Sequence, residues 1–211
     1  YHPGDEDGPR RVRYRPQGRG RARRGYAALG VEGVSKARTA GAVVRTAHAF
    51  DASFAFLVGG AMNRREIAQT DTSRSVEQFP LYLYDRIEDF ALPAGCQLVG
   101  IEITEDANDL PSFRHPRAAA YVLGAERTGL SDEMLSLCDH VVKIPTRFSL
   151  NLAVAGALVL YDRLQSTAGF PPRPVMPGGP VEPVPEPVFG EPLWMKKRKR
   201  RHIDDGQDNR D

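Results

Sequence analysis

The sequence predicts an α/β fold: one domain on a mostly parallel sheet, with helices on both faces. Three observations predict it. Short β-rich runs alternate with helical patterns through the middle of the chain, and parallel strands need crossover helices between them. Two strand-to-helix turns, after Leu123 and after Ile144, carry the glycine, serine and asparagine that tight turns and helix caps require. Both ends of the chain are too poor in aliphatic residues to join a core, leaving one unit of ordinary domain size between them.

Taken in order, residues 1–25 are rich in Gly, Arg and Pro and read as a basic, disordered arm. The folded domain is expected over residues 26–168. Tyr26–Val31 reads as its first strand, and Ala40–Phe50 as a helix with Val43, Val44, Ala47 and Phe50 on the packing side. Phe54–Val58 and Leu81–Tyr84 are short aliphatic and aromatic runs and read as strands; Arg86–Phe90 reads as a short helix. Gln97–Glu102, Ala119–Leu123 and His140–Ile144 complete the predicted strands. Asp132–Leu137 follows Ser131 as its N-cap, and Leu150–Leu164 is apolar at nearly every core-facing spacing. Residues 169–211 form a Pro-rich linker and charged tail, holding nine of the 17 prolines between 169 and 192. Phe189, Leu193, Trp194 and Met195 interrupt that tail with apolar bulk and read as a docking patch.

Net charge is +2, but its distribution is uneven. Eight arginines and no acid lie between Arg10 and Arg24, six consecutive basic residues run from Lys196 to Arg201, and residues 26–168 hold 13 basic against 17 acidic residues. The positive charge therefore sits in the tails. Cationic blocks of this size attract polyanions by releasing condensed counterions, which points to nucleic acid; solubilising or addressing roles are the plain alternatives. Cys96 and Cys138 are too far apart for a paired-ligand motif, so neither a disulfide framework nor a metal site is expected, and both read as reduced core thiols. No apolar run approaches the ~20 residues that cross a bilayer, so no membrane is expected and a reducing, cytoplasmic setting is.

Three segments carry chemistry. Leu123-Gly124-Ala125-Glu126-Arg127-Thr128-Gly129-Leu130-Ser131 brackets a lone acid with two glycines between a strand and a helix, where ligands of open α/β sheets bind. It is neither a Walker loop nor a dinucleotide fingerprint, so phosphate cofactors are unsupported, and a purely structural turn is equally compatible with it. Ile144-Pro145-Thr146-Arg147-Phe148-Ser149-Leu150-Asn151 places an amide near the start of an almost wholly apolar helix. Such an amide is costly to bury without partners, although a plain cap by Ser149 or Asn151 would also account for it. In Thr39-Ala40-Gly41-Ala42-Val43-Val44-Arg45-Thr46-Ala47-His48-Ala49-Phe50, Arg45 shares a helical face with Gly41 and reads as a partly buried arginine, its plain explanation a salt bridge to an acid such as Glu126. His48 reads as a helix-surface histidine.

In this order and spacing, the three segments resemble the three motifs of the SpoU family of RNA 2′-O-ribose methyltransferases, within the SPOUT superfamily. The likeness runs from about Ala28 to Leu164. Gly124, Glu126, Gly129, Leu130 and Ser131 match one motif, Ser149-Leu150-Asn151 after Ile144-Pro145 another, and Gly41 through Phe50 the third. The resemblance implies a C-terminal trefoil knot, S-adenosylmethionine bound within it, and a homodimer sharing its active sites. It implies methylation of a ribose 2′-hydroxyl in tRNA or rRNA, with Arg45, Glu126 and Asn151 as catalytic residues. Leu123, Gly124, Glu126, Gly129, Ile144, Ser149, Leu150 and Asn151 would hold the cofactor. Thr39, Arg45 and Ser149 would meet RNA, helped by tail residues such as Arg10, Arg11, Arg13, Arg21, Arg23, Arg24, Lys196 and Lys197.

Two positions depart from the family pattern: Thr39 stands where asparagine is usual and Asp51 where glycine is usual. A threonine offers a hydroxyl but not an amide's paired donor and acceptor. That departure is the basis of the alternative reading, a catalytically weakened or inactive RNA-binding relative of the same fold.

Overall fold

The computed structural model describes residues 25–170 and 172–178. The basic arm, the Trp194 patch and the Lys196–Arg201 block lie outside them. The chain divides into a unit Tyr1–Phe170 and a unit Pro171–Asp211; in the second, the described residues 172–178 form neither helix nor strand.

Seven strands form one sheet: β1 (Tyr26–Glu32), β2 (Phe54–Val58), β3 (Leu81–Tyr84), β4 (Gln97–Ile101), β5 (Asn108–Asp109), β6 (Ala118–Leu123) and β7 (His140–Lys143). Their spatial order is β3-β2-β1-β6-β4-β7-β5, and every pairing is parallel. Central strands covered on both faces need continuous apolar runs, which is why Ala28–Val31 and Ala119–Leu123 lack polar alternation. β6 enters between β1 and β4, so Val31 and Ile101 both pair with Leu123. Chain order and spatial order part company there, and the strands' carboxyl ends open a crevice.

The helices are α1 (Ala37–Ala49), α2 (Arg64–Thr70), α3 (Ser75–Gln78), α4 (Asp132–Leu137) and α5 (Leu152–Thr167). α1 packs on α5, α2 and α3. Their face of the core joins Val43, Val44 and Ala47 of α1 and Val159 and Leu160 of α5 to Leu29, Val31, Tyr121 and Leu123. Each fully buried Val or Leu there contributes roughly 1.5–3 kcal/mol. α4 covers the opposite face, setting Met134 and Leu135 against Ala28, Phe56, Leu98 and Val122. Helices thus lie on both faces, as the alternation predicts.

Several boundaries differ from the sequence reading. Arg86–Phe90 holds only a 3-10 turn, Ile87–Asp89, because Arg86 and Phe90 are both extended and leave room for one turn. α1 starts at Ala37, before the expected Ala40, and stops at Ala49 because the next residues leave helical geometry: Phe50 is the C-cap and Asp51 has a positive φ of 56°. α5 starts at Leu152 because Asn151 is its cap, and it runs on to Thr167. α2, α3 and the two-residue β5 were not anticipated.

Candidate active site

At the carboxyl ends of β4, β6 and β7 the crevice holds a cavity of about 550 Å3, within the range of small-molecule sites. Ile101, Leu123, Ile144 and Leu152 give it apolar walls, and Glu102, Glu126, Lys143, Ser149 and Asn151 bring polar groups to the same space.

Two segments separated in sequence meet here. From the first come Leu123 at the end of β6, then Gly124, Glu126 and Gly129 in the loop after it. This loop folds back so that the Gly129 N–H reaches the Ala125 carbonyl at 2.8 Å. The fold-back is why position 124 takes no side chain: a Cβ there would lie 2.1 Å from the Gly129 carbonyl carbon. Gly129 itself has φ 68°, the left-handed region open to glycine. The loop ends on Ser131, whose hydroxyl accepts the Met134 N–H at 3.0 Å and caps α4.

The second segment leaves β7 and brings Ile144, Ser149, Leu150 and Asn151 to the cavity. Asn151 Oδ1 accepts the backbone N–H groups of Ala153, at 3.0 Å, and Val154, at 3.4 Å. The plain cap reading is therefore correct for the oxygen. The amide nitrogen has no hydrogen-bond partner among the described residues, which leaves two N–H donors on a cavity-lining side chain.

The third segment behaves differently. Thr39, half-buried in the first turn of α1, and Arg45 do not line the cavity. Arg45 is exposed, not partly buried, and makes no ion pair with Glu126, which is itself exposed. The reason is its place on α1: Val43, Val44 and Ala47 take the core-facing positions and turn Arg45 outward. His48 is not a bare surface residue either. Its Nδ1 lies 3.0 Å from the hydroxyl of buried Ser75 and its ring stacks on Phe79, fastening α1 to the α3 segment.

The sequence reading missed Ile101, Glu102, Ile103, Lys143 and Thr146 on the cavity wall. Glu102 was the one with a signal. It is the acid that ends the apolar run Leu98–Ile101, one step past the strand, where side chains of a parallel sheet reach the ligand crevice.

The model of the SpoU rRNA Methylase family matches residues 27–161. The chain belongs to that family. Among relatives is a tRNA (guanosine(18)-2′-O)-methyltransferase of Thermus thermophilus, 34% identical over 90 residues, which are 40% of this chain and 46% of the relative. The enzyme of the same name from Escherichia coli is 27% identical over 155 residues, 66% of this chain and 64% of its own. This SpoU chain thus spans roughly half to two thirds of those relatives. An AdoMet-bound rRNA methyltransferase from Sinorhizobium meliloti superposes with a TM-score of 0.60 at 26% identity, over 67% of this chain and 57% of that one.

Proposed function

We propose that this SpoU chain methylates a ribose 2′-hydroxyl of tRNA or rRNA with S-adenosylmethionine as methyl donor. The observation that carries the reading is the convergence of the 123–130 and 144–151 segments on one cavity at the carboxyl ends of β4, β6 and β7. The residues present fit such a cofactor: apolar walls suit a nucleobase, while carboxylates, a hydroxyl and amide donors suit the polar remainder. No phosphate-cradling loop competes for the space.

Bound there, the cofactor would supply a methyl group on a sulfonium, already an excellent leaving group. The protein's task is then to align and activate a poor nucleophile. The glycine loop shapes the cradle, and Asn151, which lines the cavity with its oxygen committed to the cap, is assigned to offer its amide donors to the cofactor. Arg45 is assigned to the incoming RNA, where its fixed positive charge holds phosphate close to the reacting hydroxyl. It is exposed and outside the cavity of its own chain, which supports a homodimer in which each copy's arginine serves the other's cavity. The stripe Val154, Leu158 and Tyr161, exposed one turn apart along α5, supports the same assembly. A knotted path through the 144–151 segment is proposed with it.

The deciding experiment is incubation with methyl-labelled S-adenosylmethionine and separate tRNA and rRNA pools, beside Arg45→Ala. Alkali-resistant ribose label in one pool, lost in the variant, is the expected result. Cofactor binding with no label in either pool would overturn the enzyme reading. It would favour instead an RNA-binding relative without turnover, the reading that Thr39 in place of asparagine supports.

A further inference from the structure

β6 lies between β1 and β4, and its pairings with both end at Leu123, opposite Val31 and Ile101, so Glu32 and Glu102 each stand one residue past the last pair, on opposite sides of Gly124. Their carboxylates converge on consecutive amides of the returning loop. Glu102 Oε2 accepts the Leu130 N–H at 2.8 Å, and Oε1 accepts the Ile103 N–H at 3.0 Å. Glu32 Oε2 accepts the Ser131 N–H at 2.9 Å, and Oε1 accepts the Ser131 hydroxyl, whose oxygen caps α4. Room for this is made by the sequence: a Cβ on Gly129 would sit 2.5 Å from Glu102 Oε2. Hydrogen bonds to carboxylate are stronger than neutral ones, and Leu130 is buried, so its amide would be orphaned without Glu102.

We propose that Glu32 and Glu102 form a two-carboxylate clamp that holds the 124–131 loop in its cofactor-binding shape, which makes both positioning residues. This rests on the cavity being the cofactor site. A loop sampling other shapes binds more weakly in proportion to the fraction of time it is competent. The two acids separate shaping from contact. Glu102 lines the cavity and could also touch ligand, whereas Glu32 does not line it, so removing Glu32 reaches the cofactor only through the loop.

The test titrates S-adenosylmethionine calorimetrically into the full chain and its Glu32→Ala, Glu32→Gln and Glu102→Gln variants. Amide hydrogen exchange is followed in the ligand-free proteins. Glu32→Ala is expected to weaken binding about tenfold and to speed exchange across 124–131, with β2 still protected. Glu32→Gln, which keeps an acceptor oxygen, is expected to recover part of both effects. Wild-type affinity in Glu32→Ala and Glu102→Gln, or weakened binding with unchanged loop exchange, would overturn the clamp alone. A wild-type chain that binds no S-adenosylmethionine would overturn the cofactor reading and the clamp with it.

Discussion

Asp51 follows α1 at φ 56°, a conformation that glycine adopts freely and that aspartate tolerates better than most residues. The family's usual glycine at this position thus has a backbone reason, and the departure is a milder one than the sequence implies. Asp51→Ala is expected to be less stable than Asp51→Gly by about 1 kcal/mol. Both variants forfeit the same side-chain contacts, so the difference isolates the backbone; equal midpoints in urea would show that the strain is absent. Asn151 allows a similar separation. Asn151→Ala removes the α5 cap and is expected to cost about 1 kcal/mol. Asn151→Asp keeps an accepting oxygen at a helix N-terminus, so its melting temperature should match the wild type while cofactor affinity falls with the lost N–H donors. If Asn151→Asp melts as low as Asn151→Ala, the cap is not what holds that helix end. The sequence left the cap and the ligand-facing amide as alternatives, because one side chain with a donor and an acceptor can serve both; the structure shows the oxygen in the cap, and the Asn151→Asp variant tests the donor.

At the scale of elements, buried parallel strands were the most legible part of the chain, since two covered faces force an unbroken apolar run. Phe54–Val58, buried from Ala55 onward, matches its predicted limits, and so do the partly exposed edge strand Leu81–Tyr84 and the capped helix Asp132–Leu137. α2 was missed although its capping box is written in the sequence as Asn63-Arg64-Arg65-Glu66, with both reciprocal hydrogen bonds present. β5 and α3 are too short to show any periodicity. Nor does periodicity reveal what ties the end of α5 to the sheet. His115, buried in the turn before β6, places Nδ1 2.6 Å from the Tyr121 hydroxyl and Nε2 2.8 Å from Asp162 on α5. A neutral ring satisfies both contacts, accepting from Tyr121 and donating to Asp162; a proton on Nδ1 would leave the buried Tyr121 hydroxyl hydrogen without that acceptor. Burial lowers the His115 pKa, the Arg163 guanidinium lowers it further, and Asp162 works in the opposite direction. A folded-state value below the unfolded one means that the unfolded chain binds the extra proton. Its stabilising contribution is therefore present above about pH 6.5 and is lost as pH falls below it. Urea unfolding between pH 7.5 and 5 should show that decline, and His115→Gln should flatten it. An equally steep decline in the variant would place the titrating group elsewhere.

At the scale of the whole molecule, the cavity and the charge are contributed by different parts of the chain. The folded domain carries more acid than base, whereas the sequence of residues 1–25 is strongly basic, and RNA contact by that arm is the proposal to be tested. Removing residues 1–25 is expected to weaken RNA binding and to reduce the dependence of log affinity on log salt; an unchanged slope would remove the arm from the interface. What the sequence could not convey is where Arg45 points. Three motifs that belong to one family pattern need not meet in one copy of the chain, and here two meet at the cavity while Arg45 of the third faces outward from α1. If a partner copy completes the site, two defective chains can repair each other. Arg45→Ala retains a sound cavity and lacks the arginine, whereas Asn151→Ala lacks the cavity donor and retains the arginine. Unfolded together and refolded as a mixture, they should form hybrids holding one site with both residues intact. Ribose methylation should then rise well above that of either variant refolded alone. If Arg45 instead serves its own cavity, every site in the mixture carries one defect and the activity stays at the sum of the separate variants.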